Sequence, residues 1–464
     1  MRGTDLNVFQ RILAASALTL LAGCNTLPTI DSDRSARPSA THLEGARGPL
    51  SAQKAKAILD QLKSRGQETS IFDRHLALEE GIVGSPLMVG NKVVLLQNGG
   101  ATYKAMFAAI ADAKDHINME SYIFEDDEVG QKFSDALIAK QSQGVQVTLI
   151  YDSVGSSSSS KEFFKRLTDG GVQVLEFNPI NPLAGNKLWQ VANRDHRKLL
   201  IVDGQTAFVG GVNISGVYAS GSSGSGSSGG KPGSAAPWRD THLQVQGPVV
   251  ADFQKLFLTT WETQKGDAMR PRTFFPTAVN SGGEVVRAIG SSPDDPYSLI
   301  YATLISAIDS AETSVRITNA YFVPDPQLLD SLIEAAARGV DVRLVLPSNT
   351  DNWLVFNAGR SHYENLLKSG VKIYERRGPL LHAKTVLIDG VWSTVGSANL
   401  DRRSFLHNQE INAVVLGPEF GEQMQVMFDA DIAASDDITL AKWERRPLAD
   451  HVKEMSARAW AYWL

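Results

Sequence analysis

The chain has 464 residues, 43% of them hydrophobic and 21% charged, a balance that excludes wholesale disorder and a multi-spanning membrane protein and leaves material for more than one core. Its 45 basic and 51 acidic residues leave a net charge of −6, so no global cationic field exists to drive sequence-independent nucleic-acid binding, and any anion site must be local. The single cysteine excludes an intramolecular disulfide framework and a multi-cysteine zinc site.

At the start of the chain, Arg2 and Arg11 surround a polar stretch, and an apolar run from Ile12 to Ala22 follows that is shorter than a bilayer-spanning helix. This pattern predicts a signal segment over residues 1–23. The run ends Leu21-Ala22-Gly23-Cys24, which resembles the bacterial lipobox. The resemblance implies lipidation of Cys24 and a lipoprotein of the bacterial envelope facing the periplasm; Asn25 implies the outer membrane in a Gram-negative host. Residues 24–55 are rich in Pro, Ser, Thr, Arg and Gly without periodicity and read as a tether.

An internal repeat organises the remainder. The stretch from Ala109-Ile110 to Tyr122-Ile123-Phe124 has a counterpart from Ala307-Ile308 to Tyr321-Phe322-Val323, each an apolar-periodic helix followed by a strand. Gly144-Val145-Gln146-Val147 matches Gly339-Val340-Asp341-Val342, and Gly171-Val172-Gln173-Val174 matches Gly370-Val371-Lys372-Ile373. His196, Lys198 and Asp203 then match His382, Lys384 and Asp389, while Asp240 matches Glu410. The first copy is longer by an insertion at residues 218–237, a Ser/Gly tract read as a flexible loop. Alternating helices and strands predict an α/β class, divided into lobes at residues 56–265 and 266–464.

Within His196-Arg197-Lys198, followed by the apolar run Leu199–Val202 and the turn Asp203-Gly204, period-two alternation places His196 and Lys198 on one strand face. The second copy repeats this. Lobes related by a pseudo-twofold axis bring two imidazoles and two ammonium groups to one interface, which suits a phosphodiester: a neutral His attacks phosphorus or carries protons, and lysines stabilise developing oxyanions.

H-x-K-x4-D twice, with the tails Gly210-Gly211-Val212-Asn213 and Gly396-Ser397-Ala398-Asn399, resembles the signature of the phospholipase D superfamily. HRKLLIVDG, WRDTHLQVQGP, ITNAYFVPD and LHAKTVLIDG resemble bacterial cardiolipin synthases within it. The resemblance implies two pseudo-symmetric phospholipase D-like lobes, each a central mixed sheet flanked by helices, with the active site at their interface. It implies a catalytic set of His196, Lys198, Asp203, His382, Lys384 and Asp389, in which His196 is the nucleophile that forms a phosphatidyl-histidine and His382 the acid/base. The two aspartates are equally explained as residues of Asp-Gly turns. Asn213, Asn399 and Ser397 are candidate phosphate-binding or supporting residues. Asp240 and Glu410 are candidates to orient the opposite or the adjacent histidine.

The implied reaction is phosphatidyl transfer from a phospholipid to phosphatidylglycerol, with phosphatidylethanolamine as an alternative donor; hydrolysis to phosphatidic acid is the second reading. No cofactor or metal is expected, and membrane phospholipids rather than nucleic acid are the expected partners. A nuclease is disfavoured by the charge, and a degenerate lipid-binding protein by two intact motifs. The Gly226–Gly230 match to G-x-S-x-G and the P-loop-like Gly230-Lys231 are products of Ser/Gly composition. Among the remaining histidines, only His242, two residues after Asp240, is singled out as a functional candidate. Arg402-Arg403 reads as either a second phosphate site or a solvated patch, and Ala457–Leu464, with two Trp and one Tyr, as either a core-docking or a membrane-interface segment.

Overall fold

The computed structural model describes Leu27 and residues 41–66, 69–180, 192–219 and 236–459. The expected signal segment, Cys24, most of the Ser/Gly insertion and residues 460–464 lie outside these. Eighteen strands are present among the described residues: β1 (Leu43–Gly45), β2 (Gly48–Pro49), β3 (Leu87–Gln97), β4 (His116–Ser121), β5 (Gln146–Asp152), β6 (Gln173–Phe177), β7 (Arg194–Asp195), β8 (Lys198–Val202), β9 (Thr206–Gly210), β10 (Thr241–Gln246), β11 (Glu284–Ser291), β12 (Ser314–Asn319), β13 (Asp341–Pro347), β14 (Lys372–Arg376), β15 (Lys384–Ile388), β16 (Trp392–Gly396), β17 (Asn408–Leu416) and β18 (Ser435–Ile438).

The repeat becomes two sheets of one topology. The first runs β6-β5-β4-β8-β9-β10-β3 and the second β14-β13-β12-β15-β16-β17-β11, with β18 added beside β14. In each, three parallel strands adjoin antiparallel ones, so both sheets are mixed, as expected. An antiparallel pairing of β3 with β11 joins them. The helix-to-strand glycines of the repeat, Gly144, Gly171, Gly339 and Gly370, take φ of 90°, 86°, 92° and 91°. A Cβ would be strained there, so glycine makes each sharp reversal at no steric cost.

Strand alternation divides the interior. On β8, Leu200 and Val202 face the helices of their own lobe, whereas Leu199 and Ile201 join Val209, Val245, Leu387, Val395, Ile411 and Val415 in a core shared by both sheets. Two helices close this shared core, Val250–Thr263 through Phe253 and Phe257, and Pro418–Ala433 through Phe420 and Met424.

Two stretches depart from the expected division. Residues 43–55, expected in the tether, are structured: Leu43 pairs with Leu87 of β3, and a helix capped by Ser51 begins at Ala52. Leu62, Ile71, Phe72 and Leu76, expected in the first lobe, pack in the second-lobe core with Ile300, Tyr301, Trp392 and Leu416. The cause is helix Leu299–Asp309, buried at every position from Ile300 to Ile308 with Thr303 and Ser306 its only polar residues in that span; a helix predominantly apolar on all faces must be covered on every side. Conversely, residues 266–276 run over the first lobe, where the Arg270 amide donates to Gln146 at 3.0 Å and that of Thr273 to Asp115 at 3.0 Å. The second lobe therefore starts at β11.

Because the shared core holds the lobes together, Phe253→Ala, at a fully buried position, is expected to lower unfolding free energy by about 3–5 kcal/mol, read as a fall in the urea midpoint.

Candidate active site

Lys198 sits opposite Ser121, the last residue of β4, and Lys384 opposite Asn319, the last of β12. Both motifs thus lie at the carboxyl ends of the parallel strands, where ligands of α/β sheets bind. What brings the two ends together is a pair of short parallel pairings across the lobes. On one side β7 pairs with β17, Asp195 opposite Gln409, and the His196 amide donates to the Gln409 carbonyl at 2.9 Å. On the other, Leu381 pairs with Arg239, and the His382 amide donates to the Arg239 carbonyl at 2.7 Å.

Each pairing sets a histidine one residue away from the carboxylate of the opposite lobe. His196 Nδ1 lies 3.0 Å from both Glu410 carboxylate oxygens. Glu410 is itself held by the Ser397 hydroxyl and by Asn408 Nδ2 at 3.1 Å. His382 Nδ1 lies 2.8 Å from Asp240 Oδ2, whose Oδ1 accepts the Thr241 amide at 2.7 Å. An ionised carboxylate only accepts, so the imidazole proton sits on Nδ1 in each pair and Nε2 carries the lone pair.

The lysines reinforce this frame. Lys198 Nζ donates to the His196 carbonyl at 2.6 Å and stands 5.1 Å over the Tyr122 ring. Lys384 Nζ donates to the His382 carbonyl and lies 3.0 Å from His382 Nε2. The site is asymmetric here: among the described residues no hydrogen-bond partner meets His196 Nε2. Burial holds the His196 imidazole down at about 4, with Lys198 and Lys384 adding to it against the pull of Glu410. Burial and Lys384 likewise lower His382. Burial would raise Glu410, but His196, Lys198 and Ser397 together bring it to about 2. Burial also lowers Lys198 to about 7 and Lys384 to about 8. Near pH 7 the interface holds two neutral imidazoles oriented by two carboxylates, with ammonium groups that release protons readily.

Residues 106–220 and 304–432 match the family described as cardiolipin synthase, PLD-like domain. The chain is 35% identical over 418 residues to the cardiolipin synthase of Geobacillus sp. (strain WCH70), covering 87% of this chain and 81% of that one. It is 36% identical over 358 residues to cardiolipin synthase A of Pseudomonas putida (strain GB-1), covering 76% and 71%. The chain belongs to the cardiolipin synthase family of PLD-like proteins. It is an enzyme of the phospholipase D superfamily. In fold it is similar to the phosphatidylserine synthase of Haemophilus influenzae Rd KW20, with a TM-score of 0.60 and 14% identity, covering 88% of this chain and 97% of that one.

In this member of the cardiolipin synthase family, the two motif aspartates do not reach the site, which corrects their place in the expected catalytic set. Five strand residues at about 3.3 Å each put Asp203 roughly 17 Å along from Lys198. There it takes φ of 54° and accepts the amides of Lys114, Asp115 and His116 at 2.8, 2.8 and 3.0 Å. Asp389, with φ of 50°, accepts those of Glu312, Thr313 and Ser314 at 3.0, 2.8 and 2.9 Å. Each pins a hairpin turn to the first residues of the neighbouring parallel strand.

The two asparagines also differ. Asn213 accepts the Ile123 amide at 3.2 Å and donates to the Tyr218 hydroxyl at 3.1 Å, whereas the buried Asn399 has a side-chain oxygen with no described partner. His242 is buried behind Asp240, accepts the Val212 amide at 3.4 Å, and is held by burial at about 3. It is a neutral core residue.

Several site residues escape a reading of the motifs alone. Tyr218, expected at the start of the flexible insertion, is buried in the turn Gly216–Tyr218, its hydroxyl 3.1 Å from His382 Nδ1. At the other end of the insertion, the Trp238 ring lies 5.6 Å from that of His382. Tyr122 and Tyr321, matched in the repeat, place their rings 4.9 Å from His196 and 6.1 Å from His382. Two arginines beside motif residues tie the lobes together. Arg197 donates to Thr260 at 2.7 Å and to the Glu410 carbonyl at 3.2 Å. Arg239 grips Asp431 at 3.0 and 2.8 Å and donates to the Asp240 carbonyl at 2.6 Å.

Turnover by Asp203→Ala is expected to stay within a few-fold of wild type while its thermal midpoint falls, since backbone amides lose a shared acceptor at a cost of about 1–3 kcal/mol. Glu410→Ala should lower turnover by about 10²-fold or more, because a neighbour that holds the tautomer is lost; wild-type activity in a steady-state assay would remove the pairing from the mechanism.

Proposed function

We propose that the chain moves a phosphatidyl group from a donor phospholipid to phosphatidylglycerol, yielding cardiolipin. The observation that carries this reading is the crossed pair of histidine–carboxylate contacts, in which one imidazole, His196, offers an Nε2 with no partner among the described residues and the other, His382, has an ammonium beside its own. Membership of the cardiolipin synthase family supports the substrate class.

In the first step His196 Nε2 attacks the donor phosphorus, the bond from phosphorus to the leaving alcohol oxygen breaks, and a phosphatidyl-histidine forms. Glu410, facing Nδ1–H, stabilises the positive charge that the ring acquires. His382, neutral with its Nδ1–H on Asp240, takes a proton at Nε2 from the Lys384 ammonium 3.0 Å away and passes it to the departing oxygen, leaving Lys384 neutral. Lys198 and Lys384 offset charge on the phosphoryl oxygens. In the second step His382 Nε2 takes the proton of the phosphatidylglycerol hydroxyl and returns it to Lys384, while the hydroxyl oxygen attacks phosphorus and displaces His196. One phosphodiester replaces another, so no nucleotide has to drive the exchange. The lipobox-like sequence at Cys24 supports a lipid-anchored protein of the envelope.

Mass spectrometry of products from the full-length protein incubated with phosphatidylglycerol vesicles, with and without phosphatidylethanolamine, tests this. Cardiolipin is expected, with a loss on the order of 10³-fold or more in His196→Ala and His382→Ala; phosphatidic acid alone would make the enzyme a hydrolase. The pH profile follows from the same groups. Attack needs His196 neutral and therefore fails as pH falls through about 4. Charge neutralisation needs the lysines protonated and fades as pH rises through about 7 to 8. A bell with its acid limb near neutrality would contradict a nucleophile so shifted.

A further inference from the structure

The last described helix, Leu448–Arg458, carries its apolar residues on the wrong side for a globular protein. Leu448, Val452 and Met455 are 82%, 59% and 69% exposed, whereas Glu454 and Ala457 are buried. At 100° per residue the three apolar side chains fall within an arc of about 60°, opposite the buried pair. The orientation is fixed by charge: Glu454 accepts from Arg446 at 2.5 and 3.0 Å and lies 3.6 Å from Arg360 of the adjacent helix Trp353–Arg360. Turning the stripe inward would strip a buried carboxylate of its arginines, a larger loss than the apolar burial would recover.

This helix also rides on the wall of the active site. Ala457 packs in a small cluster with Val323, Val355 and Ala358, against which Tyr321 packs. The Tyr321 ring stands 6.1 Å from that of His382, and its hydroxyl donates to Asp351. Two residues after Asp351 the adjacent helix begins at Trp353, a tryptophan 54% exposed. Residues 440–458 hold five Lys/Arg against three Asp/Glu in a chain whose net charge is −6. The sequence then continues through Trp460, Tyr462 and Trp463, residue types that favour a membrane–water boundary.

We propose that the stripe Leu448–Val452–Met455 is a docking surface for an anionic phospholipid bilayer, seated at the headgroup boundary beside the active site. The inference rests on the phospholipid reading of the site, and an apolar stripe flanked by excess positive charge is the recognition chemistry of such a surface.

The triple variant Leu448→Ser, Val452→Ser, Met455→Ser changes only exposed side chains, so its fold should persist. In the full-length protein its rate on phosphatidylglycerol vesicles is expected to fall about tenfold or more, with the rate on a monomeric short-chain phosphatidylglycerol unchanged. An unchanged vesicle rate, or an equal fall on both substrates, overturns the proposal. A direct arm attaches an environment-sensitive fluorophore to Val452→Cys, with Lys255→Cys as the remote control and the wild-type chain giving the background from Cys24. Nitroxide-bearing lipids should quench the label at 452 and spare that at 255. A label at 452 already shielded before vesicles are added overturns the proposal: concentration dependence would assign the stripe to a second copy, and independence to the chain's own remaining residues. Quenching at 452 together with no turnover of either substrate by the wild type upholds docking and rejects phosphatidyl transfer.

Discussion

Two short parallel pairings, Asp195 with Gln409 and Leu381 with Arg239, determine whether this enzyme has a site at all. Neither lobe contains a complete histidine–carboxylate pair. The histidine comes from one sheet and its carboxylate from the other, so the Nδ1 contacts at 3.0 and 2.8 Å exist only while the lobes hold their mutual register. A slip of one residue would send each carboxylate to the opposite face of its strand. The shared core and the arginine clamps at Arg197 and Arg239 are therefore part of the chemistry, because they hold that register.

The same interface explains how so many ionisable groups are buried together. Two lysines, two histidines and two carboxylates lie almost wholly out of water. An isolated buried charge costs several kcal/mol, and the cost is tolerable here because the charges of opposite sign alternate and each is hydrogen-bonded. Substrate phosphate would add a negative charge to a site whose lysines are lowered by burial, strengthening them as donors when the lipid is in place. The half with the shorter carboxylate shows how tight the fit is. A Cβ at Gly211 would come within 2.1 Å of Asp240 Oδ1, whereas the matched Ser397 donates to the longer Glu410.

Much of this was legible in the sequence. The repeat predicted two lobes of one topology, its glycines the helix-to-strand reversals, and strand alternation put His196 with Lys198 and His382 with Lys384. Asp240 and Glu410 were legible as partners for the histidines, but not which histidine each serves, because spacing along the chain carries no information about which sheet a strand end faces. Asp203 and Asp389 misled for a different reason: motif membership does not separate a residue that touches substrate from one that pins a turn, and only the five-residue strand that starts at the Lys and ends just before the Asp shows which it is. Tyr218 was hidden by composition, since the Ser/Gly tract that follows it reads as loop. The helices before β3 were hidden because their partner, the fully buried helix Leu299–Asp309, lies more than two hundred residues later.

That last arrangement governs the order in which the molecule can assemble. The segment 52–83 leads directly into the first lobe yet finds its core only in the second, where His75 meets Ser306 at 3.0 Å and the Trp392 ring at 5.3 Å, and Glu79 meets Arg287 at 3.0 Å. At roughly 5–20 residues per second, the ribosome needs on the order of tens of seconds to make the intervening chain. Through that interval Leu62, Ile71, Phe72 and Leu76 lack their native second-lobe partners and the two halves of the site lack their register. The N-terminal helices thus cannot reach their native packing until the C-terminal half has been made, and because each histidine takes its carboxylate from the opposite lobe, closure of the second lobe over those helices and assembly of the site belong to the same late stage of folding.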